Sequence, residues 1–148
     1  MKVVVQRVES SSVLVDDKIV GQINKGLMIL VGFTYGDNID TIKYIVNKIV
    51  NLRIFDDENG VMNLSVNDIK GEILSVSQFT LYATFGGRRP SFTKALNYNS
   101  AKELYDIFNE ELRKNDINVE TGIFGEDMKV NFTNDGPVTI IIDSKVDL

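Results

Sequence analysis

The chain contains neither His nor Cys, and therefore has neither the commonest general base nor the thiol nucleophile of enzymes. Without imidazole or thiol, the sequence excludes a Ser-His-Asp triad, a Cys nucleophile, a His general base and the common His/Cys zinc site. Any chemistry must come from hydroxyls, carboxylates, backbone groups, bound water or the substrate itself. We expect no metal ion and no other cofactor.

Hydroxyl and amide side chains gather in one short segment, Ser77-Gln78-Phe79-Thr80. The surrounding residues Glu72–Ala83 are rich in β-branched and aromatic types, which predicts a long strand. Successive side chains of a strand point to opposite faces, so Gln78 and Thr80 are expected on one face. By itself this arrangement is typical of a hydrogen-bonded polar pair on a half-exposed face.

A second polar segment, Asn134-Asp135-Gly136-Pro137, separates two predicted strands. All four residue types favour turns, and an X-Pro bond is cis in only about 5–6% of cases in folded proteins. By itself this segment predicts an ordinary turn.

Positive charge is concentrated after the first polar segment. Residues 73–101 contain Arg88, Arg89 and Lys94 and no acid, so this stretch carries +3 while the rest of the chain sums to −8. Within this stretch, Thr84–Asn99 shows no helical or strand periodicity and is long for a structureless connection. Two glycines directly before the arginines give a flexible backbone beside fork-shaped donors, a combination suited to phosphate. The alternative is that the arginines solvate the loop and pair with surface carboxylates.

Two main helices are predicted to support these segments. Apolar residues recur at helical spacing over 39–49, with Asp37 or Asn38 as the N-cap. The capping box Ser100-x-x-Glu103 predicts the start of the second helix.

The remaining predicted elements are strands, which leads to a fold class. Besides Glu72–Ala83, the predicted strands are Val3–Val8, Ser11–Val15, Lys18–Ile23, Leu27–Phe33, Val119–Thr121, Met128–Phe132 and Val138–Asp143. The continuous apolar run at Leu27–Phe33 indicates a strand buried on both faces. This order predicts an α+β domain with a mixed sheet.

The length and charge of the chain limit its domain count and its partners. A chain of 148 residues can bury roughly 68–70% of its unfolded surface, so we expect one domain over residues 1–148. The N-terminal apolar run Val3–Val5 is too short for a signal peptide or a membrane span, and we expect a cytoplasmic protein without membrane contact. The net charge of −5 argues against broad nucleic-acid binding, so no DNA partner is expected.

The two polar segments together resemble the paired signature SQFTL and NxGPxT of the D-aminoacyl-tRNA deacylase family. The matching residues are Ser77-Gln78-Phe79-Thr80-Leu81 and Asn134-Asp135-Gly136-Pro137-Val138-Thr139. Further segments agree in the family's order over nearly the whole chain: Gln6-Arg7-Val8, Arg53-Ile54-Phe55, Met62-Asn63-Leu64, Arg89-Pro90-Ser91-Phe92, and Thr121-Gly122 before Phe124-Gly125. Two complete signatures with correctly ordered flanking segments make a specific match.

The resemblance implies a homodimer with a barrel-like sheet and with active sites at the subunit interface. It implies hydrolysis of the ester between a D-amino acid, in many members also glycine, and the terminal ribose of tRNA. The Gly136–Pro137 bond is expected to be cis and to reach from one subunit into the pocket of the other as a chirality filter. The carbonyls of this dipeptide would crowd the space that an L side chain needs and accept hydrogen bonds from the substrate's ammonium.

Further substrate contacts follow from the same resemblance. The Phe124 carbonyl would help to hold the ammonium, Met128 would line the pocket near the adenine, and Asn134 would join the substrate-binding residues. The chain departs from the family pattern at Glu126, where a small residue such as Ala is expected after Phe124-Gly125. This carboxylate would either repel RNA phosphate or point to solvent.

The resemblance also gives the basic segment a use, because Arg88, Arg89 and Lys94 would bind the acceptor end of tRNA. Neutralising about three phosphates corresponds to a log–log salt slope near −2 for single-stranded RNA.

Two mechanisms fit a chain without His, with Ser77, Gln78, Phe79 and Thr80 as the catalytic segment. In the first, Thr80 attacks the ester, but its hydroxyl needs a base that the chain does not supply. In the second, backbone N–H groups near Phe79 and Thr80 stabilise the oxyanion while the ribose 2′-hydroxyl helps to activate water. We favour the second, since an aminoacyl ester is already activated.

Two other functions compete with the deacylase. A noncatalytic α+β dimer that binds an RNA end or a nucleotide would use the same basic loop. A carboxylate-based hydrolase is less favoured, because Asp56-Asp57-Glu58 lies in a predicted turn and is typical of solvated charge.

Overall fold

The computed structural model describes residues Met1 to Leu148 as eight strands, three α-helices and one short 3₁₀ helix. The strands are β1 (Lys2–Val15), β2 (Lys18–Ile23), β3 (Gly26–Gly32), β4 (Phe55–Asp56), β5 (Met62–Leu64), β6 (Glu72–Ser77), β7 (Val119–Thr121) and β8 (Lys129–Asp143). The helices are α1 (Ile39–Asn51), α2 (Tyr98–Arg113) and α3 (Ser144–Asp147), and the 3₁₀ helix is Phe79–Tyr82.

The first strand organises a mixed six-stranded sheet. β1 pairs antiparallel with β2 and β3, and it pairs antiparallel with β8 over most of its length. β6 and β7 extend the sheet from β3 in parallel, and β2 contacts β7, so the sheet nearly closes into a barrel. β4 and β5 form a separate hairpin. The predicted α+β class with a mixed, barrel-like sheet and two main helices is confirmed.

The strand β3 is buried on both faces, as its continuous apolar run predicts. Leu27, Ile29 and Val31 belong to the larger core cluster, which also contains the buried faces of α1 and α2. Met28 belongs to a smaller cluster of residues from β1, β2, β3 and β6. The helices therefore cover one face of the sheet, and the curved sheet encloses the smaller cluster on its other face.

Two pairs of predicted strands are each one continuous strand in the structure, so the predicted interruptions are wrong. Val3–Val8 and Ser11–Val15 both belong to β1, and Val138–Asp143 joins the residues before Asn134 in β8. Because β1 and β8 run beside each other, the extra residues are taken up as shifts of register without a turn that ends either strand.

The long strand predicted at Glu72–Ala83 is wrong in its second half. β6 ends at Ser77 and the chain continues as the 3₁₀ helix Phe79–Tyr82, so Gln78 and Thr80 do not share a strand face. The adjacent strands β3 and β7 pair with β6 no further than Ser77. Backbone groups without a strand partner must bond elsewhere, and here they form local hydrogen bonds between residues three apart.

Both main helices begin at an asparagine cap. Asn38 was one of the two predicted caps of α1, and its Oδ1 accepts from the backbone N–H of Asp40 at 3.0 Å and of Thr41 at 3.1 Å. The capping box at Ser100 is wrong, because α2 begins earlier and its N-cap is Asn97. The Asn97 side chain accepts from the Ser100 N–H at 3.0 Å, so Ser100 lies within the first turn.

Candidate active site

A cavity of about 590 Å³ lies where β3 and β6 end. Twelve of its 18 lining residues are hydrophobic, including Val31, Val76 and Phe92, so the cavity can receive a flat ring or an apolar side chain. Most of its polar lining comes from two chain segments, one at the end of β6 and one before β8.

The first segment begins with Ser77 and Gln78, which both line the cavity. The Gln78 N–H donates to the Val31 carbonyl at 2.8 Å, the hydrogen bond that completes the Val31–Ser77 pair at the end of β6. The Gln78 amide donates to the Thr80 hydroxyl at 2.5 Å. A Cβ at Gly32 would lie 2.7 Å from the Gln78 carbonyl oxygen, so glycine allows this close approach.

The 3₁₀ helix presents its N-terminal end beside the cavity. The first N–H groups of such a helix, here those of Phe79 and Thr80, have no acceptor within the helix. Phe79 lines the cavity and is 57% exposed, whereas Thr80 is not among the lining residues. The Thr80 hydroxyl is instead held by Gln78.

The second segment is a turn in which the Glu126 N–H donates to the Ile123 carbonyl at 3.2 Å. Gly125 has φ +81°, and a Cβ there would lie 2.6 Å from the Tyr98 ring, so this turn requires glycine. Phe124 packs edge-on against Tyr98, with ring centroids 5.1 Å apart. These contacts fix the Phe124 backbone at the cavity wall.

The buried side chain of Tyr105 packs against Phe124 and so supports the same part of the cavity wall. Its ring centroid lies 5.6 Å from that of Phe124, and its hydroxyl donates to the Ser75 carbonyl at 2.7 Å. Burial raises the pKa of the Tyr105 hydroxyl, so the group stays protonated and remains a donor.

The cavity has a charge opposite in sign to that of the basic segment. Glu126 and Asp127 are its two charged lining residues, and neither forms an ion pair within the chain. Met128 follows them and lines the cavity, with its sulfur close to the Cα of Gly122. No three Asp or Glu side chains lie together closely enough to hold a metal ion.

The Gly136–Pro137 dipeptide lies in a bulge that is distinct from this cavity. In the pairing of β1 with β8, Gln6 is opposite Thr139 and Val8 is opposite Asn134, so four residues bulge out opposite one. The Gly136–Pro137 peptide bond is cis, and both residues are exposed.

The residue opposite this bulge is a buried arginine. Arg7 donates through Nε to the Asp135 carbonyl at 2.9 Å and through Nη1 to the Ile54 carbonyl at 2.7 Å. Its guanidinium also lies 3.6 Å from the Asp56 carboxylate and 3.7 Å from that of Asp135. Arg7 thereby anchors the base of the bulge.

The other anchor of the bulge is Asn134. Its Oδ1 accepts from the Val138 N–H at 3.0 Å, and its Nδ2 donates to the Thr139 hydroxyl at 3.0 Å. Both ends of the Asn134 amide are therefore used to close the bulge, on the opposite side from Arg7.

The structure thus divides the residues predicted from the sequence into two groups. Ser77, Gln78, Phe79, Phe124 and Met128 line one cavity. Thr80, Arg88, Arg89, Lys94, Asn134, Gly136 and Pro137 do not line it within the single chain.

Sequence reasoning assigned no role to Arg7, although a signal was present. Val3, Val5 and Arg7 share one face of β1, and the first two belong to the larger core cluster. An arginine at a core-facing position of an apolar strand needs buried partners, and here carbonyl oxygens supply them. The packing of Tyr98 on Gly125 had no comparable signal.

Comparison with known proteins places this arrangement in a family. The model of the family described as D-Tyr-tRNA(Tyr) deacylase matches residues 4–143. The chain belongs to this family. Family membership makes it a hydrolase of the aminoacyl-tRNA deacylase type.

Two curated relatives in the deacylase family align in sequence with this chain over nearly its full length. A D-aminoacyl-tRNA deacylase of Clostridium botulinum (strain Alaska E43 / Type E3) is 57% identical over 145 residues, covering 97% of each chain. One of Bacillus cytotoxicus (strain DSM 22905 / CIP 110041 / 391-98 / NVH 391-98) is 56% identical over 146 residues, covering 98% of this chain and 100% of the relative.

Solved structures share the deacylase fold described above. One described as the c-Myc DNA Unwinding Element Binding Protein superposes with a TM-score of 0.91 and 41% identity, covering 97% of this chain and 98% of the other. A probable eukaryotic D-amino acid tRNA deacylase superposes with a TM-score of 0.83 at 20% identity, covering 95% and 97%, and shows the fold alone. No helix of the chain has the length and apolar character needed to cross a membrane.

Proposed function

We propose that the chain hydrolyses the ester between a D-amino acid and the terminal ribose of tRNA, and that it also accepts glycyl-tRNA. One observation carries this proposal: the cavity and the exposed Gly136–Pro137 bulge are separate on one chain, one concave and one projecting. A second copy can therefore insert its bulge into the cavity of the first. The site is complete only between two subunits, which makes the protein a homodimer.

In this arrangement the Gly136–Pro137 carbonyls of the second copy act as the chirality filter. They accept hydrogen bonds from the substrate's ammonium and occupy the space that an L side chain needs. A D side chain, or the hydrogen of glycine, leaves that space free. Specificity then comes from rejection, so one cavity serves many D-amino acids.

The cavity wall supplies the remaining contacts to the aminoacyl ester. The Phe124 carbonyl helps to hold the ammonium, and Met128 contacts the adenine, for which the largely apolar lining is suited. Asn134 contributes by holding the bulge in shape, because both ends of its amide are already bonded there.

The hydrolytic step needs no side-chain base from the enzyme. The N–H groups of Phe79 and Thr80 stabilise the oxyanion of the tetrahedral intermediate, and Ser77 and Gln78 position the ester. The ribose 2′-hydroxyl helps to activate the attacking water. The Thr80 hydroxyl is bound by the Gln78 amide, which supports water as the nucleophile.

The acceptor end of tRNA lies along the basic segment, where Arg88, Arg89 and Lys94 form no ion pair within the chain. Three neutralised phosphates predict a log–log salt slope of kcat/KM near −2. A flat response between low and physiological ionic strength would contradict this placement. Because charged tRNA is the substrate, we expect the protein to work in the cytoplasm.

Parallel incubation with D-tyrosyl-tRNA and L-tyrosyl-tRNA tests the proposal directly. Release of D-tyrosine at a rate far above the spontaneous rate, with the L ester left intact, is the expected result. Binding of both tRNAs without release of either amino acid would favour the noncatalytic RNA-end binder. Release from both at equal rates would contradict the proposed chirality filter.

A further inference from the structure

Residues 84–91 form a small hairpin, named here the basic hairpin. The Thr84 N–H donates to the Ser91 carbonyl and the Ser91 N–H donates to the Thr84 carbonyl, each at 2.9 Å. The six residues between them, 85–90, are all exposed. A Cβ added at Gly86 or Gly87 would meet no atom within 4 Å, so the tip projects free of the rest of the chain.

The basic hairpin begins and ends close to the active-site cavity. Phe92 directly follows the closing residue Ser91 and lines the cavity. Its ring packs edge-on against that of Phe79, with centroids 5.1 Å apart, and Phe79 belongs to the 3₁₀ helix that leads into the hairpin. An extended ligand that leaves the cavity on this side therefore meets the hairpin.

One aromatic ring at the hairpin tip has no packing role in the chain. Phe85 is 78% exposed, more than any other aromatic residue of the protein, and it pairs with no other aromatic ring. A phenyl ring held in water loses the stabilisation that burial of its apolar surface would give. Its exposed surface is therefore open to a partner that covers it.

The charges around Phe85 indicate the chemistry of that partner. Arg88, Arg89 and Lys94 form no ion pair, although the chain as a whole carries −5. No acid lies within residues 73–101, so no neighbour in the sequence neutralises them. Two free arginines on the same short hairpin as an exposed aromatic ring are a combination that binds single-stranded nucleic acid, with phosphates on the cations and a base on the ring.

We propose that Phe85 is a stacking platform for an unpaired base of the RNA acceptor end, one that precedes the aminoacylated nucleotide held in the cavity. Arg88 and Arg89 bind the phosphates that flank this base. Stacking requires an open base face, so the platform selects a single strand and leaves base-paired RNA unbound at this point. The inference rests on the proposed function, which supplies the RNA.

A kinetic experiment compares two substrates with the variants Phe85→Ala, Phe85→Trp and Phe85→Leu. For D-tyrosyl-tRNA, Phe85→Ala is expected to raise KM about 5–20-fold, in the range for loss of one stacked base, with kcat unchanged. Phe85→Trp should restore KM and Phe85→Leu should not. For 3′-O-D-tyrosyl-adenosine, which has no preceding base, all variants should match the wild-type chain.

Several kinetic results would overturn the inference. An unchanged KM for Phe85→Ala on D-tyrosyl-tRNA removes the platform. Full rescue by Phe85→Leu would show general apolar contact, and an equal loss on both substrates would show a structural role. Val146→Ala is the matched control, because Val146 is 79% exposed on the short helix α3, and it should change neither KM.

A binding experiment separates failure of this inference from failure of the proposed function. The chain contains no Trp, so Phe85→Trp introduces a single indole reporter at the hairpin tip. A short single-stranded RNA ending in CCA should quench its fluorescence, and the quenching should weaken with salt. Heparin, which carries anions but no bases, should bind without quenching.

The outcomes of the binding experiment are decisive without catalysis. Quenching by the RNA supports the platform even if no ester is hydrolysed. Equal response to RNA and heparin would reduce the hairpin to a general anion site. No response to either would overturn the inference and point to a protein surface as the partner that covers Phe85.

Discussion

The cavity and the Gly136–Pro137 bulge differ in how the chain holds them. The cavity wall is built from residues that pack on each other, such as Phe124 against Tyr98, and it surrounds empty volume. The bulge is exposed and is held at its base by polar groups, the Arg7 guanidinium and the Asn134 amide. A hollow and an anchored projection on the same chain are the two parts that the proposed dimer requires.

Subunit complementation offers the largest effect and the strongest test of this comparison. Gly136→Ala places a Cβ 2.8 Å from the Val138 side chain at φ +133°, so the bulge must distort. Gln78→Trp puts a large ring into the cavity wall. Each variant alone is expected to lose about 100-fold or more in kcat/KM on D-tyrosyl-tRNA, because the reacting groups are misplaced.

A purified pair with one subunit of each variant is then expected to recover about half of the wild-type rate, since both defects fall in one of two interface sites. The measurement uses co-expressed subunits with different affinity tags, and the two parent variants are the controls. A mixed pair as inactive as its parents would mean that the cavity and the bulge act within one chain.

Loss of the anchor beneath the bulge gives the next largest effect. Arg7→Met leaves the buried Ile54 carbonyl and the Asp135 carbonyl without their donor. The free energy of unfolding, measured by urea denaturation, should therefore fall by about 1–3 kcal/mol. The kcat/KM for D-tyrosyl-tRNA should fall about 30-fold through the displaced bulge.

Lys2→Met is the matched control for Arg7→Met, because it removes a cation whose side chain is 34% exposed, against 9% for Arg7, and which pairs with Asp143 at 3.7 Å. It should change stability by well under 1 kcal/mol and leave activity unchanged. If Arg7→Met loses stability but keeps wild-type kcat/KM, the shape of the bulge does not matter to the reaction.

The next prediction concerns the cavity and removes one of its negative charges. Glu126→Gln should lower KM for D-tyrosyl-tRNA about two- to threefold at low salt, because a carboxylate there repels a polyanion. The gain should shrink as ionic strength rises. Glu103→Gln on the exposed face of α2 is the control, and a rise in KM for Glu126→Gln would instead indicate that Glu126 binds the substrate's ammonium.

The smallest effect is expected at Thr80. Thr80→Ala removes a hydroxyl that is bound by Gln78 and is not among the cavity-lining residues, so kcat/KM should stay within about threefold of wild type. Single-turnover rates with saturating enzyme provide the measurement. Complete loss with intact circular dichroism and intact tRNA binding would restore Thr80 to the role of nucleophile.

Sequence patterns predict the burial of β3 but not the end of β6. The two-sided burial of β3 follows directly from an uninterrupted apolar run, because both faces of an internal strand must avoid water. The end of β6 did not follow, because a β-rich composition continues to Ala83 while its partner strands stop earlier. Strand length depends on what lies beside the strand, and no local pattern contains that information.

The amino-acid sequence alone determined the chemistry that is open to this protein. Without His or Cys, catalysis is limited to hydroxyls, carboxylates, backbone groups, bound water and the substrate, and the acid-free stretch from 73 to 101 concentrates positive charge. Only the tertiary structure decided the geometry. It placed Phe124 and Gln78 around one cavity, and it set Gly136 and Pro137 apart on a bulge anchored by Arg7. The physical reason is that residue type fixes what a group can do, whereas long-range pairing and packing fix which groups meet.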